Sequence, residues 1–361
     1  MSEGGSRRRR NESGLGLDDP SLLARLDQHR VREVLAAFPQ QCREALSLRM
    51  SARPALSTPR AVIVAGMGGS AAGGDLLAAC AADHLRVPLL VHRSYGLPVA
   101  ASDTLVIASS YSGETVETLS AAETALAREH ALVVVTTGGA LGRLAERRGV
   151  SAVTLPGGLM PRMALGYLFF PLLGVLAEVG LPLASPDEVA EALDVVEALA
   201  RELGPAQPVE GNEAKRLALA IGTRIPALYG GPATHAAVYR WKTDFAENAK
   251  LFALTGVVPE MNHNEIEAWQ GPRAREVQAV FLRDDEEPPA IARRFAVLRD
   301  LIEPGAGRAV LEAWTRGKGR LARLISLAYL GQWTSYYLAM LGGRDPWPIP
   351  LLDALKRRLA P

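Results

Sequence analysis

The sequence predicts an α/β protein of two consecutive domains, each a parallel sheet flanked by helices. Three observations predict it. Apolar runs of strand length, such as Ala61–Ala65 and Thr104–Ser109, carry no polar alternation, as strands buried on both faces should. Those runs alternate with helix-length segments, the pattern of a parallel sheet. A strand–glycine turn–helix theme also occurs twice, through Gly66-Met67-Gly68-Gly69-Ser70 and again through Gly230-Gly231-Pro232, on either side of a proline-rich stretch.

Taken in order, residues 1–20 read as a flexible tail: Arg7 to Arg10 are followed by no apolar stretch, so they do not begin a signal peptide. Asp19-Pro20-Ser21 forms a cap leading into a helix from Leu22 to about Leu48. The first domain, 21–180, has strands expected at 61–65, 88–92, 104–109, 132–137 and 152–155, with helices at 71–82, 114–129 and 141–148. The uncharged run Met163 to Ala177 falls short of the roughly 20 apolar residues a membrane helix needs and reads as a buried core helix. Residues 181–212, with Pro182, Pro186, Pro205 and Pro208, form a linker around a helix. The second domain, 213–361, has strands expected at 224–229, 277–282 and 309–314 and a long helix at 321–341.

With 361 residues the chain has room for two buried cores. Its 40 basic and 39 acidic residues leave a net charge of +1, so no bulk attraction to nucleic acid or membrane follows. Cys42 and Cys80 form no C-x-x-C, which suggests a reducing compartment, and a cytoplasmic location is expected. The six histidines lack metal-ligand spacing, so neither metal nor other cofactor is expected.

Open parallel sheets bind ligands beyond the carboxyl ends of their strands, where glycine turns and helix N-termini expose backbone amides. Two turns qualify: one with Gly68, Gly69 and Ser70, the other with Ser110, Ser112 and Thr115. Their hydroxyls suit a compact phosphate monoester. The first turn also fits G-x-G-x-x-A through Gly66, Gly68 and Ala71, but the expected acidic residue on the next strand is replaced by His92-Arg93-Ser94. Only an NADP site, with Arg93 on the 2′-phosphate, would remain. A nucleophile elbow around Ser70 is absent, because Ala72 stands where its last glycine would be.

Residues 239–269 concentrate titratable and amide groups: Lys242, Asp244, Glu247, Asn248, Lys250, Glu260 and Asn262-His263-Asn264-Glu265. They read as a helix stopped by Gly256, then a loop from Pro259 that carries His263. Carboxylate and imidazole together are equipment for moving protons near neutral pH. A solvated helix with a surface loop is the plainer alternative.

The turns Gly66–Asp75 and Ser110–Thr115 resemble those of a SIS (sugar isomerase) domain. Pro161-Arg162-Met163, Arg240-Trp241-Lys242, Glu247-Asn248-Ala249-Lys250 and Pro259–Glu265 are similar to motifs of bifunctional phosphoglucose/phosphomannose isomerases, over nearly the whole chain after residue 30. The resemblance implies two SIS-like domains and a metal-independent aldose–ketose isomerase acting on glucose 6-phosphate, mannose 6-phosphate and fructose 6-phosphate. It implies phosphate held by Ser70, Ser110, Ser112 and Thr115, a proton shuttle at Glu247, enediolate stabilisation by Arg162 and ring opening by His263 from the neighbouring subunit of a homodimer. A C-terminal lysine completes the set, with Lys356 the candidate. Glu114 departs from the family's usual Asn, and its side chain is expected to point away from the phosphate. A non-catalytic sugar-phosphate sensor on the same loops is the rival; it would have no use for carboxylate, imidazole and arginine together.

Overall fold

The computed structural model describes residues 16–359 apart from 55, 57 and 83. Arg7 to Arg10 therefore lie outside the described residues. The chain divides into two compact units: one of Ala37–Val196 with Arg316–Ile325, the other of the described residues up to Ala36 with Glu197–Thr315 and the chain from Ser326 onward.

The first unit holds a five-stranded, wholly parallel sheet of β1 (Ala61–Ala65), β2 (Leu89–His92), β3 (Thr104–Ser109), β4 (Ala131–Thr136) and β5 (Ser151–Thr154), ordered β2-β1-β3-β4-β5. Every residue of β3 is buried, which explains its unbroken apolar sequence. Ile63, Val106, Ala108 and Val134 pack with Ala121, Ala125 and Leu141 from two covering helices. The uncharged run forms the helix Leu165–Glu178, buried nearly throughout. It approaches the helix Gly68–Ala81 closely enough that a Cβ on Gly73 would meet the Leu168 carbonyl oxygen at 2.1 Å. Among the described residues no helix is long and apolar enough to cross a membrane.

The second unit repeats the plan with four parallel strands, β6 (Ile225–Gly230), β7 (Leu254–Val257), β8 (Val277–Arg283) and β9 (Leu311–Trp314), in the order β7-β6-β8-β9. Its core joins Tyr229, Phe281, Phe295 and Trp269. Trp241 is fully buried, with its indole N–H donating to the Leu327 carbonyl at 2.7 Å.

Two expectations about elements are corrected. The helix expected from Leu22 to Leu48 is three helices, Pro20–Leu26, Val31–Ala36 and Phe38–Ser47. Asp19 caps the first as expected, but the buried Asp27 carboxylate accepts from Val31 N at 2.7 Å and Arg32 N at 3.0 Å, starting the second. Gly256 does not stop a helix. The helix His235–Asp244 passes into a π-turn, Phe245–Ala249, which ends at Lys250 in the left-handed region (φ 58°). The apolar residues that follow lead into β7, where Gly256 lies so close to Tyr229 that a Cβ would meet its ring at 2.9 Å.

Candidate active site

In the first sheet the chain begins at β1, moves to β2 on one side, then crosses to β3 on the other. The crevice between the carboxyl ends of β1 and β3 is the topological switch point, where open α/β sheets bind ligands. Both hydroxyl-bearing turns emerge there.

After β1 the backbone turns straight into the helix Gly68–Ala81, whose N-cap, Met67, offers no side-chain cap. Gly68 takes φ +51°, and Gly69 faces the backbone of the Pro161–Met163 turn: a Cβ there would lie 2.8 Å from Pro161 O and 3.1 Å from Arg162 N. After β3, Thr115 takes the N-cap position of the helix Val116–Ala127, again with no side-chain cap. Two helix N-termini thus keep their amides uncapped by side chains among the described residues, a ready arrangement for an anion.

The hydroxyls tie the turns together. Ser70 Oγ, buried, accepts from Tyr111 N at 3.1 Å. Ser110 Oγ accepts from Gly113 N at 3.1 Å and lies 2.9 Å from Thr115 Oγ1. Ser112 is exposed, with its Oγ 3.3 Å from Glu114 N. Glu114 turns away from this cluster: its Oε1 accepts from Ala140 N at 2.9 Å and lies 3.5 Å from Arg143, at the start of the helix Gly139–Arg148. The negative charge thus sits at another helix N-terminus, where it is favourable.

Arg162 is 2% exposed, in a 3₁₀ turn ahead of the helix Leu165–Glu178. Two side chains absent from the sequence-based assignment hold that segment. Gln41 brackets it, donating to Met163 O at 3.0 Å and accepting from Gly166 N at 2.7 Å. The Tyr111 hydroxyl donates to Pro156 O at 2.9 Å and accepts from Leu159 N at 3.2 Å. Tyr111 stands inside the serine turn, and an aromatic residue between serines was the visible signal. Gln41 gave none, since its partners lie more than 120 residues away. Arg93, on which an NADP site would depend, is already paired with Asp75.

The proton-chemistry residues belong to the second unit. Glu247 is half-buried in the π-turn, a distortion found frequently at functional sites. The turn is braced on both sides: Asn248 donates to Ser335 Oγ at 2.8 Å, and the buried Arg240–Asp244 pair lies at 2.9 Å in the preceding helix. Lys250 Nζ donates to the backbone carbonyl of Glu247. His263 ends the turn Glu260–His263 with an exposed side chain. Its loop is anchored by Glu265, whose Oε1 accepts from the Tyr229 hydroxyl at 2.8 Å. Burial first, and then this carboxylate, push the Tyr229 phenol well above its ordinary value, so it stays a donor. Lys356 is exposed on the helix Pro350–Leu359, none of whose residues is buried. Among the described residues no three His, Cys, Asp or Glu side chains gather as a metal site would require.

A family model described as the bacterial phospho-glucose isomerase C-terminal SIS domain matches residues 210–359. A bifunctional phosphoglucose/phosphomannose isomerase of Caldicellulosiruptor bescii is 42% identical over 303 residues, 83% of this chain and 89% of the relative. The chain belongs to the SIS-domain phosphosugar isomerase family. Another family member of the same description, from Thermoplasma acidophilum, is 32% identical over 83% of this chain and 89% of its own length. A solved glucose-6-phosphate isomerase like protein from Thermus thermophilus superposes with a TM-score of 0.62 at 22% identity, over 94% of this chain and 98% of that one, a likeness of fold. Membership makes isomerisation of phosphosugars the general class of activity. It also gives the two parallel sheets their description as SIS-like domains.

Proposed function

We propose that the protein interconverts glucose 6-phosphate and mannose 6-phosphate with fructose 6-phosphate through an enediolate, without a metal. The observation that carries this reading is the identity of 42% across 83% of the chain with a relative named for both isomerisations. The geometry of the first unit agrees with it. Glycine turns, uncapped helix N-termini and the hydroxyls of Ser70, Ser110, Ser112 and Thr115 are suited to a phosphate dianion, with Gly68 and Gly69 supplying backbone amides. The close contact of Gly69 with the Pro161–Arg162 backbone links that turn to the guanidinium assigned to the enediolate.

The reaction needs the sugar ring opened, the C2 proton removed and a proton returned to C1. A C–H acid this weak yields only where the developing oxyanion is met by preorganised donors. Arg162 serves there, because a guanidinium stays protonated and offers several N–H groups. Glu247 carries the proton between C2 and C1. His263 exchanges protons with the ring oxygen and the anomeric hydroxyl, and Lys356 completes the site. Phosphate binding remote from C1 and C2 supplies the positioning.

His263 acts across the interface of a homodimer in this reading. Support comes from the apolar side chains exposed on the second unit beside its loop: Phe252 (85% exposed), Leu254 and Val257 at the edge strand, and Tyr239 on the helix that packs against that strand. A second copy would bury them.

The deciding experiment follows fructose 6-phosphate formation from each aldose phosphate with a chelator present. Turnover of both is expected. A relative from Sulfolobus acidocaldarius, 30% identical over 66% of this chain, is named D-glucosamine-6-phosphate 4-epimerase. Epimerisation without aldose–ketose turnover would therefore replace the proposed reaction, and saturable binding with no turnover would leave a sensor.

A further inference from the structure

The helix Pro350–Leu359 carries Lys356, yet little of the chain packs against it. None of its residues is buried, and Leu351 and Leu359 are largely exposed. Among the described residues no hydrogen bond or ion pair ties its side chains to the rest of its unit. A helix this short and this isolated is placed by the segment that leads into it.

That segment is anchored from two directions. The long helix Arg320–Leu341 closes with a Schellman cap, Gly343 N on Met340 O and Arg344 N on Ala339 O at 3.0 Å each, with Gly343 in the left-handed region. Asp345 follows at once and divides its carboxylate. Oδ1 accepts from Trp347 N at 3.0 Å, folding Asp345-Pro346-Trp347 into a local turn, and Oδ2 lies 2.6 Å from His29 Nδ1. The His29 imidazole also stacks on the Trp347 indole, with 5.8 Å between centroids and 5° between planes. His29 is itself held by an anchored loop. Behind it Asp27 caps the helix Val31–Ala36 and accepts from the Tyr336 hydroxyl at 3.2 Å. One imidazole thus grips both the carboxylate and the ring of the turn that launches the last helix. An ion pair with one partner 47% exposed adds little stability, so this clasp is better suited to setting a direction than to holding the fold.

We propose that Asp345, clasped by His29, is a positioning residue that aims the helix bearing Lys356 in the isomerisation. The inference rests on the role given to Lys356 in the proposed function. A tilt at the root of a helix grows along it, so loss of the clasp displaces the Lys356 ammonium and leaves the phosphate turns untouched.

The test is a kinetic double-mutant cycle on the full chain. Lys356→Met should lower kcat. Asp345→Ala should lower kcat about tenfold with KM for fructose 6-phosphate changed less than about twofold, because the helix moves and the phosphate ligands do not. In the Lys356→Met background the same substitution should change kcat by less than about twofold. His29→Phe keeps a ring for Trp347, removes the bonded nitrogen and should give the same pattern, which covers any misfolding of Asp345→Ala. Trypsin gives a readout that needs no turnover: cleavage after Lys356, Arg357 and Arg358, followed by mass, should quicken severalfold in both clasp variants. Equal kcat losses in the two backgrounds would make Asp345 merely structural and overturn the proposal. So would full kcat or unchanged cleavage in the clasp variants while Lys356→Met is impaired. Full turnover in Lys356→Met would instead strike the lysine from the proposed reaction, and the positioning role with it.

Discussion

The two sheets share one topology and differ in what stands at the equivalent place. In each the first strand is central, the second lies to one side and the third crosses to the other, leaving a crevice between β1 and β3 and another between β6 and β8. The turn after β3 offers Ser110, Ser112 and Thr115, with its single carboxylate, Glu114, directed to a helix N-terminus. The segment after β8 reads Asp284-Asp285-Glu286-Glu287. The neighbouring cation, Arg283, bonds Glu287 and Glu312 and stacks 4.5 Å from both Phe295 and Trp314. Topology thus builds a crevice twice, but side chains suit only the first to an anion. On the proposed function the first sheet holds the phosphate, and the second supplies Glu247 and His263.

That division of labour predicts two variants with opposite signatures. Glu247→Gln should lower kcat by about 1,000-fold or more, the scale of lost acid–base catalysis, while leaving sugar-phosphate affinity nearly intact. Near-normal turnover would remove Glu247 from the proton shuttle. Mixing this variant with His263→Asn should restore activity if each site draws its histidine from the partner; continued silence of the mixture would place both groups in one subunit. Ser110→Asp puts a carboxylate among the phosphate ligands and should raise KM about 100-fold, with kcat much less affected. A pure kcat loss would mean that the turn does not hold the phosphate.

How far such a division is legible in sequence depends on how local its causes are. β1 and β3 were readable because burial on both faces demands an unbroken apolar run. β7 was not: it is a four-residue edge strand with Leu254 and Val257 partly exposed, so its residues looked like the continuation of a helix. What ends that helix is Lys250 in a left-handed conformation that favours glycine, which no rule would assign to lysine. The hydroxyl turns were legible because both follow strands directly. The Gln41 bracket around the Arg162 turn was not, because it depends on a contact distant in sequence.

Gly69 couples the two parts of the first site, and its replacement should have an intermediate effect. A Cβ there would press on Pro161 O at 2.8 Å and on Arg162 N at 3.1 Å, both backbone atoms with little room to yield. Gly69→Ala should cost about 1–3 kcal/mol of stability through overpacking, measured by chemical denaturation. It should also lower kcat roughly tenfold as the Arg162 turn is displaced, since small misplacements of a positioned group are expensive. Full activity with reduced stability would show that the contact is packing alone and that Arg162 does not depend on it.

The smallest effect is expected where the comparison is most easily broken. Asp285 and Glu286 are exposed in the acidic segment after β8. If phosphate binds only at the first sheet, Asp285→Asn with Glu286→Gln removes two charges from a crevice the substrate phosphate never enters. The KM for fructose 6-phosphate should then change by less than about twofold, as for surface substitutions remote from a site. A several-fold fall in KM, erased by raised ionic strength, would show that these carboxylates repel the substrate at a distance. The acidic segment would then act on the phosphate after all, and the two crevices would form one electrostatic system instead of two separate ones.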